Sequence, residues 1–168
     1  IDRDLVANLL GFDGVLENTN DCVASADYCI SIFCALINMV IPISRLTLDL
    51  HFWGGEEVAM IDVPESFSDT SSMMPQKKNF GGQIERIRME SAAVIGRLQE
   101  AVVVTRNEPF SDMLAVLQAR YPTLEALCIV RKNLRILTGF LTTMIPDEQR
   151  MEEYSRRGFA AASELANT

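Results

Sequence analysis

The chain has 168 residues, a length that suits one domain with a hydrophobic core. Hydrophobic residues make up 48% of it and charged residues 23%, which is typical of a globular protein and excludes a largely disordered chain. The formal net charge of −8 argues against nonspecific binding to nucleic acid or to an anionic membrane, since both select basic surfaces, but it leaves open a local positive site for an anionic substrate.

The four cysteines show no pattern of a disulfide framework or a metal site. Cys22, Cys29, Cys34 and Cys128 form no C-x-x-C pair, and no histidine lies near enough in sequence to complete a ligand set. We therefore predict buried, reduced thiols in a cytoplasmic protein. The chain begins at Ile1 without a signal peptide and inside a helical pattern, so we expect an N-terminal portion to precede it.

Helical periodicity opens the chain. Residues 2–12 show helical spacing that ends at Gly11, and residues 13–20 are rich in turn formers. An apolar run then extends from Tyr28 to the glycine pair at 54–55, which predicts one helix of about 28 residues. We expect a bend at Pro42, because proline removes a backbone donor there.

This long apolar helix raises two questions: whether it spans a membrane, and whether other subunits cover it. Its strictly apolar part is shorter than the roughly 20 residues that a bilayer requires and contains Asn38 and Pro42, so we predict no membrane span. A helix that is apolar on nearly all sides is buried on all sides. One chain of this size can hardly surround such a rod, so we predict a homo-oligomer in which neighbouring subunits cover it.

The rest of the chain divides into a loop and further helices. Residues 56–82 lack periodicity, and a loop of that length is functional or disordered. Helical spacing returns over residues 84–106 and stops at a proline, and further helices are predicted over residues 122–144, 147–158 and 159–168. No segment shows the pattern of a strand. The predicted fold class is all-α.

The loop contains the segment Thr70–Asn79 (TSSMMPQKKN), whose residue types suit acid–base chemistry on an anion. Ser71 and Ser72 precede Lys77 and Asn79, and Asn79 immediately precedes a predicted helix, where it would be a good N-cap. Lys77 and the helix N-terminus together favour a carboxylate. A serine beside such a site can act as a base in its alkoxide form. On the residues alone, a solvated basic loop with an N-cap is the simpler interpretation.

The pattern S-S-x-M-P-x-K-x-N in this loop resembles the signature of the fumarase/aspartase superfamily, and its form M-P-Q-K-K-N is similar to that of the argininosuccinate lyase branch. Three other segments resemble the same branch in the same order: residues 9–27 (LLGFDGVLENTNDCVASAD), 44–50 (SRLTLDL) and 157–166 (RGFAAASELA). The likeness therefore runs over nearly the whole chain, and it predicts a long-helix bundle of the fumarase/aspartase type.

The resemblance also implies a division into domains. Residues 1–145 are expected to form part of the central helical-bundle domain, with the catalytic serine loop at about 66–82. Residues 146–168 are expected to begin the small C-terminal helical domain. Enzymes of this family are tetramers in which several subunits build each active site, and the family implies neither a cofactor nor a metal.

The activity that the resemblance implies is cleavage of the C–N bond of argininosuccinate into fumarate and arginine. Ser71 matches the catalytic serine, which removes a proton beside a carboxylate and leaves an aci-carboxylate intermediate. Lys77 and Asn79 match residues that hold the substrate carboxylates, and Ser72 is a further substrate-binding candidate. Glu85 matches, after a one-residue gap, a glutamate that pairs with an essential histidine.

Several positions depart from the family pattern. Phe80 replaces the usual proline, and Gly81–Gly82 carries an inserted residue. The essential histidine of the family lies upstream of this chain, so we expect the 168 residues to be inactive alone. The single histidine, His51, stands where the family has an apolar residue, and we interpret it as structural or exposed. Residues 106–121 lack the family stretch that contacts the amine half of the substrate, so fumarate-side chemistry is better supported than arginine recognition.

Three functions stay open at this point. The first is a lyase of the argininosuccinate type, including one that cleaves another N-substituted aspartate. The second is a lyase of another branch, such as an adenylosuccinate lyase, against which the M-P-Q-K-K-N form argues. The third is a non-catalytic paralogue, against which the joint presence of Ser71, Lys77 and Asn79 argues.

Overall fold

The computed structural model describes residues 1–74, 78–79, 81–106 and 113–157, together with Ala162 and Ala166. This part of the chain is mainly helical and confirms the all-α class. The helices are α1 (Arg3–Leu10), α2 (Thr19–Ala24), α3 (Asp27–Trp53), α4 (Gly82–Val104), α5 (Leu114–Thr143) and α6 (Glu148–Arg157). Between them lie a 3₁₀ turn (Glu65–Phe67) and four two-residue strands, β1 (Ile61–Asp62), β2 (Asp69–Thr70), β3 (Lys78–Asn79) and β4 (Ile145–Pro146).

The three long helices form a bundle in which α4 runs antiparallel to both α3 and α5. At one end, the C-terminal half of α3 packs with the start of α4 and the end of α5, and the shared core there is Leu50, Ile84, Ile87, Leu137 and Phe140. Further along, the same three helices share a second cluster of Phe33, Leu36, Val40, Val94, Ala101, Ala126 and Val130. Burial of these apolar side chains is the main stabilising term of the fold.

Helix α3 confirms the predicted long apolar helix, with 27 residues, and runs continuously through Pro42. Its buried positions recur at helical spacing and face α4 and α5: Cys29, Phe33, Leu36, Val40, Thr47 and Leu50. Its other side carries exposed apolar residues: Tyr28, Met39, Ile41, Leu46, Leu48, Phe52 and Trp53. By length and composition alone this helix is able to cross a membrane, a test that core helices of soluble proteins also pass. The described residues cover only one side of this helix.

The predicted start of the helix over residues 122–144 is wrong. Helix α5 begins at Leu114, and Pro122 lies inside it instead of at its first turn. The residues before Pro122 contribute to the core, since Val116 and Ala119 pack against Cys29. This tertiary packing outweighs the local cost of a proline within the helix.

One helix and the four short strands were not predicted at all. Helix α2 begins at the end of the turn-rich region and is capped by Asn18, whose side chain accepts a hydrogen bond of 3.2 Å from the Asp21 N–H. The four short strands form two antiparallel pairs, β1 with β4 and β2 with β3. A two-residue strand is too short to produce a visible alternation of apolar and polar side chains.

Helix α6 is fastened to the segment that follows α3. The Asp147 N–H donates to the Met60 carbonyl at 2.8 Å. The Tyr154 hydroxyl donates to the Glu57 carbonyl at 2.6 Å, and the Arg150 guanidinium donates to the same oxygen at 3.2 Å. The predicted domain boundary between residues 145 and 146 falls within β4, and the division into two domains stays a prediction.

Candidate active site

A short hairpin holds the two ends of the serine loop together. Strand β2 pairs antiparallel with β3, so that Asp69 lies opposite Asn79 and Thr70 lies opposite Lys78. Ser71 follows β2 directly. The strand pairing therefore fixes where Ser71 leaves the hairpin and where the chain returns toward α4.

The two serines differ in their surroundings. Ser71 is half-buried, and its Oγ accepts a hydrogen bond of 3.3 Å from the Met74 N–H, whereas Ser72 is exposed. A donor on a hydroxyl oxygen stabilises negative charge there, which a serine that acts as a base requires. Lys77 lies outside the described residues, and of Asn79 only the backbone is described. Their predicted carboxylate contacts therefore stay predictions.

The hairpin is anchored to the bundle through an aromatic contact. The Phe67 ring stands edge-on to Phe140, with 6.0 Å between ring centroids and an interplanar angle of 87°. Gly139 leaves room for this ring, because a Cβ at that position would lie only 2.9 Å from Phe67 Cζ. The chain thus enters the hairpin from a fixed point on α5.

The predicted N-cap at the start of α4 is wrong. The helix begins at Gly82 with Gly81 at the cap position, and no side chain caps it. Asn79 instead lies in β3, since its backbone is paired with Asp69. Glycine suits both positions at the helix start because side chains occupy the space beside them: a Cβ at Gly82 would lie 1.7 Å from Asp69 Oδ2.

Two carboxylates meet at this helix start. Glu85 lies in the first turn of α4, and its N–H donates to the Gly81 carbonyl at 2.7 Å. The Asp69 carboxylate lies against Gly82. Negative side chains are stabilised at a helix N-terminus, so the position where we expected a substrate carboxylate is faced by the protein's own acids. Asp69 was missed because only the register of β2 against β3 brings it there.

The structure also places His51 at the site. Its Nε2 lies 3.9 Å from Glu85 Oε1, an ion-pair distance that is longer than a hydrogen bond. The interpretation of His51 as structural or exposed overlooked this contact. No local sequence pattern predicts this contact, since a long connecting segment separates His51 at the end of α3 from Glu85 at the start of α4.

A cavity of about 530 Å³ opens beside the start of α4, lined in part by Asp69, Gln83, Glu85, Arg86 and Glu90. Three of these residues are carboxylates, and the Arg86 guanidinium is the cation among them. Within the described residues, no hydrogen bond or ion pair joins Ser71 to Glu85. In this part of the chain the site therefore has two components, the serine on the hairpin and the acids at the helix start.

Comparison with known sequences gives consistent results. A profile of a family described as "Lyase" matches residues 1–96. The chain is 33% identical over 168 residues to the argininosuccinate lyase of Methanococcoides burtonii, covering 100% of this chain and 34% of that protein. It is also 33% identical over 167 residues to the argininosuccinate lyase of Thermus thermophilus, covering 99% of this chain and 36% of that protein. The chain spans about a third of the length of the curated relatives it matches.

Solved structures resemble the chain over its length. EDDS lyase in complex with formate matches with a TM-score of 0.79 and 27% identity, covering 99% of this chain and 33% of that one. A variant of EDDS lyase with bound fumarate matches with a TM-score of 0.78 and the same identity and coverage. The class II fumarase of Schistosoma mansoni matches with a TM-score of 0.72 at 15% identity, covering 89% of this chain and 34% of that one, and shows the fold alone. The predicted long-helix bundle of this type is confirmed.

Proposed function

Because this chain belongs to the fumarase/aspartase superfamily of lyases and is argininosuccinate lyase-like, we propose that the protein containing it cleaves argininosuccinate into fumarate and arginine. The observation that carries the proposal is the β2–β3 hairpin, in which β2 ends directly before Ser71 and the Asp69 carboxylate lies against Gly82 at the start of α4. The similarity to argininosuccinate lyases across the whole chain supports the choice of substrate.

In the proposed reaction, Ser71 takes the proton from the carbon beside a substrate carboxylate. The electron pair of that C–H bond moves into the carboxylate and gives an aci-carboxylate. The pair then forms the carbon–carbon double bond of fumarate while the C–N bond breaks, and the amine leaves with a proton. The Met74 N–H, which donates to Ser71 Oγ, supports this role because it stabilises charge on the oxygen.

The remaining candidate residues stabilise the intermediate or support the proton transfers. Lys77, Asn79 and Ser72 hold the substrate carboxylates, and the doubly negative intermediate is stabilised most where such donors are fixed in advance. Glu85 supports the acid–base group that protonates the leaving amine, in the role that the resemblance gives it. Neither a metal nor a cofactor is part of the proposal.

The test is release of fumarate by the complete protein with argininosuccinate as substrate, followed by the absorbance of fumarate. Ser71→Ala is the matched control for contaminating activity. The 168 residues alone are expected to release none, because the essential histidine that the resemblance implies is not among them. Turnover that is unchanged in Ser71→Ala would contradict the assigned base.

A second candidate is a lyase for another N-substituted aspartate. It is favoured by residues 106–121, which lack the family stretch for the amine half, and by the similarity to EDDS lyase at 27% identity. Both candidates share the fumarate side of the chemistry. Comparing kcat/KM for argininosuccinate and for a panel of N-substituted aspartates separates them.

We also propose that the protein is a homo-oligomer, with a tetramer as the simplest symmetric bundle, and that it acts in the cytoplasm in arginine biosynthesis. The support is the outer side of α3, where exposed apolar residues such as Leu46, Leu48 and Phe52 stand in a continuous helix. Large apolar side chains exposed in this number along one helix are typical of a subunit interface. Like helices of other subunits would cover it. Nucleic acid and membranes are not proposed as partners.

A further inference from the structure

The contact between His51 and Glu85 joins the ends of two helices. His51 lies in the last turn of α3, and Glu85 lies in the first turn of α4. A helix C-terminus favours a positive or donating side chain, and a helix N-terminus favours a carboxylate. Both helix ends therefore favour the polarity of this pair, with the imidazole as donor and the carboxylate as acceptor.

The backbone at the start of α4 is shaped to receive the imidazole. A Cβ built on Gly81 would lie 2.3 Å from His51 Nδ1 and 2.4 Å from its Cε1, closer than real Cβ atoms approach other heavy atoms. Gly81 has a φ of −103°, which any residue adopts, so glycine is required there by space and not by backbone conformation. The ring is thereby held directly against the turn that begins α4.

The two nitrogens of the ring have different surroundings. Nδ1 is buried and has no hydrogen-bond partner among the described residues, whereas Nε2 faces Glu85. A proton on Nδ1 would be a buried donor without an acceptor, which is costly. A proton on Nε2 would instead face the Glu85 carboxylate, whose Oε1 lies 3.9 Å away.

We propose that His51 is a positioning residue of this site, which acts by holding the Glu85 carboxylate at the start of α4. The inference rests on the proposed function, in which Glu85 supports the acid–base group of the reaction. Two departures from the family pattern lie in this region, a histidine at position 51 and an inserted residue in the glycine pair 81–82, and they meet where the His51 ring lies against Gly81. The glycine leaves the space that the histidine ring occupies.

A double-mutant cycle in the complete protein tests the proposal, using His51→Leu, Glu85→Gln and their combination. His51→Leu should lower kcat about tenfold and change KM little, because it loosens Glu85 without touching a substrate carboxylate. In the Glu85→Gln background the same change should have no further effect. His51→Gln, which places an amide donor near the former Nε2, should recover most of kcat.

Amide hydrogen exchange supplies a readout that does not depend on activity. The Glu85 N–H, bonded to Gly81, should exchange faster in His51→Leu and at the normal rate in Val103→Leu, a substitution at an exposed position near the far end of α4. Equal losses of kcat for His51→Leu in both backgrounds, or unchanged exchange, would overturn the proposal. If the unmodified protein releases no fumarate, the proposed function fails, and the exchange rates still decide whether His51 orders the start of α4.

Discussion

Two regions of the molecule are held in shape by different means. One is the bundle of α3, α4 and α5, and the other is the connecting segment between α3 and α4. In the bundle, the three helices share two clusters of buried apolar side chains along their length. The connecting segment adds Ile61 and Val63 to the cluster at the start of α4. Beyond Val63 it depends on a few separate contacts: the Phe67 ring against Gly139, the β2–β3 pairing and the His51 ring against Gly81. The bundle determines whether the chain folds, and the segment determines where the serine and the acids stand.

This difference predicts which substitutions destabilise the folded state and which ones lower turnover. A change in the bundle core alters the free energy of unfolding, because many contacts are lost together. A change in the connecting segment beyond Val63 alters a single anchor, so turnover falls while the folded state persists.

The two sides of α3 provide the largest expected contrast. Leu36 is 6% exposed and lies in the bundle core, whereas Leu48 on the outer side is 48% exposed. Leu36→Arg buries an unpaired charge and should unfold the protein, a loss of more than about 4 kcal/mol. Leu48→Arg should leave the helices intact and dissociate the proposed oligomer. Circular dichroism and sedimentation velocity measure the two outcomes.

A folded, monodisperse monomer of the unmodified protein at micromolar concentration would contradict the interface on α3. An unfolded Leu48→Arg variant would contradict the division between the two sides, because it would mean that the outer side also belongs to the chain's own core.

Ser71 and Ser72 form the next contrast, within the connecting segment. Ser71→Ala should lower kcat by about a hundredfold or more, the typical effect of losing a positioned base, with an unchanged melting temperature. Ser72→Ala, at the exposed neighbour, should affect KM more than kcat. Steady-state kinetics on both variants measures this. Equal losses of kcat would mean that the base is not Ser71.

Much of the bundle is predictable from the sequence, because long helices leave a strong periodic pattern. The apolar run over α3 predicted a helix that the structure places at Asp27–Trp53. The start of α5 was missed because Pro122 looks like a helix start, and only the packing of Val116 and Ala119 on Cys29 shows that the helix extends before it.

The site was only partly predictable, for a physical reason. Ser71 and Glu85 followed from the resemblance, yet the placement of Asp69 at the start of α4 depends on the register of two short strands. The contact of His51 with Glu85 depends on how far α3 and α4 overlap. Neither quantity leaves a local pattern, since both arise from contacts between residues distant in sequence.

Gly81→Ala should have an intermediate effect, about a tenfold loss of kcat. The new Cβ would overlap the His51 ring, 2.3 Å from Nδ1, and push it away from Glu85. The matched control is the double variant Gly81→Ala with His51→Ala, in which the overlap is gone but Glu85 remains unsupported. The double variant should melt at a higher temperature than Gly81→Ala and have the same low kcat. Recovery of kcat in the double variant would show that the overlap alone, and not Glu85, is responsible.

The smallest expected effect is the difference between alanine substitutions at two glycines within helices, Gly96 and Gly139. Glycine within a helix is less stable than alanine by about 0.5–1 kcal/mol. Gly96 in α4 has no atom within 4 Å of a built Cβ, so Gly96→Ala should gain that amount and leave kcat unchanged. At Gly139 the Cβ would lie 2.9 Å from Phe67 Cζ, so the ring must shift and the same gain should be cancelled.

Because Phe67 precedes the hairpin, its shift moves Ser71, and kcat should fall a few-fold in Gly139→Ala alone. Denaturant unfolding and kinetics on the two variants measure this, and equal stabilisation at both glycines with unchanged turnover would show that the Phe67 contact does not position the serine.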